Sequence, residues 1–175
     1  MTENPLLETW TTPFGVPPFD RIREEHFPPA FGAAMAAQRA EYAAIAADPA
    51  PPSFANTIEA MERAGSLLNR VAATFFNLAG SRATDALQAV ERDIAPQLAR
   101  HNMQLALDPG IFRRVAELHA QRDALALAPD QHRLLDRTHM SLVRCGAALN
   151  AAARARLTEI SSHLATLHTR FGQNV

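Results

Sequence analysis

From Phe19 onward the apolar residues recur in steps of three, four and seven, the spacing that gathers them on one face of an α-helix. Alanine supplies 35 of the 175 positions, Leu, Glu, Gln and Arg are abundant, and Val, Ile and Tyr are sparse. Good helix formers therefore dominate and strand formers are in short supply. The pattern predicts an all-α fold, a multi-helix bundle of six to seven helices.

Proline sets the boundaries. Pro5, Pro13, Pro17 and Pro18 fall within the first eighteen residues, so 1–18 is predicted to be an extended arm and 19–175 a helical domain. After a helical turn around Asp20 to Glu25, Pro28 and Pro29 suit the first turn of a helix, where no backbone donor is required. That helix is expected to run to Ala47 and to stop at Asp48-Pro49-Ala50-Pro51-Pro52. A third helix is expected from an Asn56 N-cap to Gly80 and Ser81, with Ile58, Met61, Leu68, Ala72, Phe75 and Ala79 inward. A fourth, from Thr84 to Leu107, contains Pro96 and is expected to kink or divide there. Asp108-Pro109 reads as N-cap and first position of a fifth helix, with Ile111, Phe112, Val115, Leu118 and Leu125 inward. The sixth starts near Pro129 and carries Leu135, Leu142, Gly146 and Leu149. The seventh begins behind Asn150 and repeats Leu157, Ile160, Leu164, Leu167 and Phe171.

Charge and cysteine content exclude several functions. All 17 basic residues are arginines, set against 18 acidic ones, and they are dispersed. A nucleic-acid partner would require a basic patch or stripe, so none is expected. One cysteine, Cys145, forms no intramolecular disulfide and no cysteine metal cluster. MTENPLLETW lacks the basic and apolar regions of a signal peptide, and no apolar run reaches the roughly 18 residues of a membrane span. A cytoplasmic protein without a membrane partner is expected.

The sequence contains no HExxH, no glycine-rich phosphate loop and no GxSxG. Its best local constellation is His132, Asp136 and His139, on one stripe of the sixth helix. Its two histidines are about 10 Å apart along the axis, too far to reach one zinc together. A His/Asp pairing on a half-exposed face is the simpler reading. His163 and His168, five apart, point in different directions. His101 shares a stripe with Ile94, Leu98 and Leu105 and reads as a packed or hydrogen-bonded core histidine. Cys145 reads as a small buried apolar group, Trp10 as an anchor for the arm, and Glu24 and Glu25 as a solvated face. Tyr42 belongs to no stacking set. No catalytic, cofactor-binding or metal residue is assigned.

Four stretches resemble a known family: NPLLETWTTPFGVPPFDRIREEHFPPAF, SFANTIEAMERAGSLLNRVAATFFNLAGS, DALQAVERDIAPQLARH and LTEISSHLATLHTRFGQNV. They are similar to the N-terminal region of bacterial peptidyl-dipeptidases in the thimet oligopeptidase family of zinc metallopeptidases, which includes oligopeptidase A. The resemblance covers Asn4 to Val175. It implies the non-catalytic N-terminal part of a longer enzyme that hydrolyses short peptides, forming a wall of its substrate channel. Its partner would be a C-terminal catalytic domain whose zinc is held by an HExxH helix and a downstream glutamate. In that motif two histidines one turn apart share the metal and the glutamate serves as general base. The seven histidines here include no i, i+4 pair, so zinc is expected only in the full-length enzyme. A self-contained helical interaction module without enzymatic activity is the alternative from a different class. A small metalloenzyme built on His132, Asp136 and His139 is a third.

Overall fold

The computed structural model describes residues 4–82, 84–150, 152–154, 156, 157, 160 and 164. Among the described residues it contains no strand, and its α-helices include α1 (Phe27–Ala47), α2 (Ala60–Arg63), α3 (Ser66–Arg82), α4 (Asp85–Ala106), α5 (Pro109–Ala120) and α6 (Pro129–Cys145). The all-α expectation holds. The chain divides into two compact units, Met1–Leu105 and Ala106–Val175.

In the first unit, α1 buries Phe27, Ala30, Phe31, Ala34 and Met35, the i, i+3, i+4, i+7, i+8 stripe of an amphipathic helix. Ala30 and Ala34 are fully buried, and their small side chains let α3 approach closely. The Phe75 ring of α3 meets Phe27 at 5.0 Å and Phe31 at 5.5 Å, both edge to face. Such pairs add directional attraction to the area they bury. Leu87 and Ile94 of α4 complete this core.

The arm joins the same core. Leu6 is fully buried, and its carbonyl accepts from Arg70 Nη2 at 3.0 Å. The Arg70 guanidinium lies 4.7 Å from the centre of the Trp10 ring, whose Nε1 donates to the Pro5 carbonyl at 2.8 Å. Trp10 thus clamps the arm through one arginine. Farther along, Phe14 stands fully exposed in the short 3-10 turn Pro13–Gly15, with φ +60°.

Three boundaries differ from expectation. The segment expected as one helix from Asn56 is a π-helical turn, Phe54–Glu59, then α2, a break at Ala64–Gly65, and α3. Its cap is Ser53: the hydroxyl accepts from Asn56 N at 3.1 Å, while Asn56 Oδ1 accepts from Ser53 N at 2.7 Å. Asn56 is the reciprocal partner of a capping box and not the cap itself. At the break, Gly65 has φ +81°, a conformation that penalises a Cβ. The helix also runs past Gly80 and Ser81 to Arg82, since Gly80 is exposed and costs only its intrinsic propensity. Finally, α4 is one element through Pro96, not two. Pro96 sits on the exposed face, where water can reach the carbonyl it leaves unpaired, and Gln97 Nε2 donates to the neighbouring Asp93 carbonyl at 2.9 Å.

In the second unit, Asp108 Oδ1 caps α5 by accepting from Gly110 N at 2.8 Å and Ile111 N at 3.0 Å, as the Asp-Pro pair predicts. Ile111, Val115 and Leu118 pack with Leu135 and Leu142 of α6 in the buried set. Gly146 ends α6 with φ +96°, and Gly146 N and Ala147 N donate to the Val143 and Leu142 carbonyls, the two bonds of a Schellman motif. Asn150 Oδ1 then accepts from Ala153 N at 2.9 Å. Residues 152–154, 156, 157, 160 and 164 are helical. Leu167 and Phe171 of the expected seventh helix lie outside the described residues.

Two substitutions test these packings. Phe75→Ala removes the ring shared by both edge-to-face pairs and is expected to cost about 3–5 kcal/mol in urea unfolding. Gly65→Ala places a Cβ in the left-handed region and displaces the Gln38 amide; a loss of about 1–3 kcal/mol is expected by the same measurement.

Candidate functional site

Two polar clusters hold His101 and His139, two of the histidines that the sequence singles out. In the first unit His101 is 2% exposed, as a core histidine should be. Its Nε2 lies 2.7 Å from Gln38 Oε1, and its Nδ1 lies 3.3 Å from Arg39 Nη1. An amide oxygen accepts and a guanidinium donates, so Nε2 carries the proton and Nδ1 presents its lone pair. Burial, and secondarily the Arg39 charge, holds the His101 pKa below the ordinary 6.5. Both nitrogens are satisfied only in the neutral ring.

Gln38 is itself fixed by the break after α2. A Cβ at Gly65 would stand 2.2 Å from Gln38 Nε2, so only glycine leaves room for this amide. Glu41, one turn farther along α1, accepts from Gly65 N at 2.6 Å. Nearby, Tyr42 has its pKa raised by burial and then by Glu62.

The second cluster lies between α5 and α6. Asp136 is joined by His119 of α5, whose Nε2 is 3.2 Å from its Oδ1, and by Arg122 Nε at 3.7 Å. His139 stacks on His119 with ring centres 3.9 Å apart and planes 10° from parallel, and lies nearly parallel to Phe112 at 6.0 Å. Asp136 and His139 are thus brought together with two residues from another helix. His132 takes no part: its side chain makes no polar contact with a described residue. The His/Asp pairing expected among His132, Asp136 and His139 is replaced by one across helices, in which His119 is the histidine that meets Asp136. The missed signal was helical spacing across α5, where His119 follows Phe112 by two turns on the inward stripe.

This arrangement does not fit a metal. Imidazole lone pairs lie in the ring planes, so two parallel stacked rings cannot aim at one ion. Among the described residues no group of three or more His, Cys, Asp and Glu could hold one. Cys145 is a half-buried free thiol. Glu24 is more than a solvated carboxylate, since its Oε1 accepts from Thr84 Oγ1 at 2.7 Å. His163 and His168 lie outside the described residues. Among those residues no helix is long and apolar enough to cross a membrane.

Burial, then the neighbouring His119 and Arg122 charges, lowers the His139 pKa below 6.5, while Asp136 opposes the shift. His101 is lowered as well. In both cases the unfolded chain binds the proton more readily, so stability rises with pH. The contribution is fully present above about pH 6.5 and is lost as pH falls through the folded values. Proton NMR titration is expected to place both rings below the free imidazole, and His139→Leu should flatten the acid limb of unfolding. An unshifted titration of either ring contradicts this account.

No protein-family model matches the chain. It is 36% identical over 175 residues to the dipeptidyl carboxypeptidase of Salmonella typhimurium, and 37% identical over 174 residues to that of Escherichia coli. With oligopeptidase A of Salmonella typhimurium it shares 26% identity over 172 residues. These alignments take in 98–100% of this chain but only 25–26% of each relative, so the chain spans about a quarter of the length of the curated relatives it matches. Along its whole length the chain is similar to one quarter of the dipeptidyl carboxypeptidases and of oligopeptidase A.

Proposed function

We propose that the chain is the N-terminal, non-catalytic helical part of a zinc metallopeptidase, with 1–18 as its arm and 19–175 as its helical body. In this reading it forms a wall of the channel through which short peptides reach the zinc. The observation that carries the reading is a whole-length match to one quarter of the peptidases, by a sequence that has no HExxH. Neither polar cluster supplies the converging donors that zinc requires. Catalytic and metal residues are accordingly assigned to the remainder of the full-length enzyme, the partner of this region. The free thiol of Cys145, the chain's single cysteine, supports a cytoplasmic setting.

Surface composition supports a partner for the second unit. Met140 and Val143 of α6 are 49% and 37% exposed, and Leu149, Ile160 and Leu164 are also exposed. A wall of a larger enzyme has reason to keep such a set, because the remainder of the molecule would cover it.

The purified 175-residue chain, supplied with zinc, is expected to release no C-terminal dipeptides from short peptides. It should also bind a dye for apolar surface more strongly than an ordinary monomer does. Zinc-dependent dipeptide release would overturn the reading, and a surface as inert as that of a self-contained domain would remove the wall.

A further inference from the structure

We propose that a groove between α1 and α4 is a binding site for the carboxylate of an acidic peptide side chain. The groove has a volume of about 270 Å³, and its polar lining consists of Arg39 from α1 with Gln97, Arg100, His101 and Gln104 from α4. The four α4 positions recur at one-turn spacing, so they form a single stripe. Gly32 opens the α1 side, since a Cβ there would meet nothing within 4 Å. No aspartate or glutamate lines the groove.

Neither guanidinium meets a carboxylate of a described residue. Elsewhere arginines meet carboxylates: Arg21 with Glu8, Arg63 with Glu59, Arg122 with Asp136. Arg39 meets His101 instead, and Arg100 makes no hydrogen bond or ion pair with a described residue. His101 is neutral, with its tautomer fixed by Gln38, so it accepts one Arg39 N–H without cancelling the charge. Arg39 is therefore oriented from behind while its remaining donors stay free. That is a preorganised cation, with less side-chain freedom left to lose when an anion arrives.

The chemistry favours a carboxylate over a phosphate. Guanidinium forks pair with either anion, but groups that cradle phosphate commonly add backbone N–H donors from a helix start. Here every lining residue except Gly32 lies in a helix interior, where backbone donors are already used, and Gly32 too follows the first turn of α1. The available donors are two planar cations and the amides of Gln97 and Gln104, suited to a carboxylate and to the peptide bonds beside it. The proposal does not depend on the wall reading.

The test is titration of the 175-residue chain with acetyl-tetraglutamate amide, following the side-chain Nε–H resonances of Arg39 and Arg100. Acetyl-tetraglutamine amide and inorganic phosphate serve as comparison probes. Saturable shifts at both arginines are expected with the acidic peptide alone, and Arg39→Gln or Arg100→Gln should each weaken binding about tenfold or more. Arg63→Gln, outside the groove, should leave it unchanged. Arg100→Gln, at an exposed arginine that makes no hydrogen bond or ion pair with a described residue, should unfold at the wild-type temperature and so separates lost binding from lost fold; Arg39→Gln also removes the donor to His101 Nδ1 and is read beside it. The proposal is overturned if phosphate or the glutamine peptide shifts these arginines as strongly, if the groove variants bind like wild type, or if no saturable shift occurs.

Discussion

The placement of the Gln38 side chain governs much of the polar architecture in the first unit. It rests where a Cβ at position 65 would stand, and it accepts the Nε2 proton of a histidine that is 2% exposed. Three segments meet through it: the middle of α1, the break before α3, and the C-terminal half of α4. A buried imidazole is costly unless both nitrogens find partners, and in this network they do. The left-handed turn at Gly65 thus leaves this amide its place, because a Cβ on that backbone would displace Gln38 from beside His101. Glu41 reinforces the arrangement by accepting the Gly65 N–H.

How legible each element was depended on whether its determinants were local. The α1 boundaries could be read because Pro28-Pro29 and Asp48-Pro49 constrain the backbone from within the sequence. The same holds for α5, whose Asp108 cap lies directly before Pro109. The break at Gly65 could not be read, because the apolar spacing continues across it and Ile58, Leu68 and Phe75 are all buried despite the interruption. Helical periodicity reports which side faces inward and is blind to a single residue that changes direction. Pro96 is the opposite case: its local penalty is real, yet the helix does not divide there, because exposure lets water reach the carbonyl it leaves unpaired.

The polar clusters divide in the same way. His101 was legible as a core histidine from its stripe on α4, whereas its partners Gln38 and Arg39 lie more than sixty positions away and are brought near by folding alone. Asp136 and His139 were legible as neighbours on α6. Their companion His119 was not, because pairing across helices is a tertiary event. Sequence spacing identified half of each cluster, and the packing of a second helix supplied the other half and changed its chemistry. An apparent His-Asp-His ligand set became a stacked imidazole pair with one carboxylate.

That change bears on what a region like this can contribute to an enzyme. A general base needs an imidazole with an accessible lone pair, and a metal site needs several lone pairs directed at one point. In His101 both nitrogens are occupied, and in the His119–His139 pair the ring planes are parallel. These groups serve cohesion: they tie α1 to α4 and α5 to α6 at places where an apolar pair would have left more freedom of register. The proposed wall would need that property, since a channel selects by size only while its lining keeps its shape. Arg39 enters this internal pairing with one donor, and Arg100 stands outside it. A region whose buried histidines serve its own cohesion, yet which leaves one held guanidinium and one free one facing a groove, presents charge at a place where its histidine clusters offer no converging lone pairs.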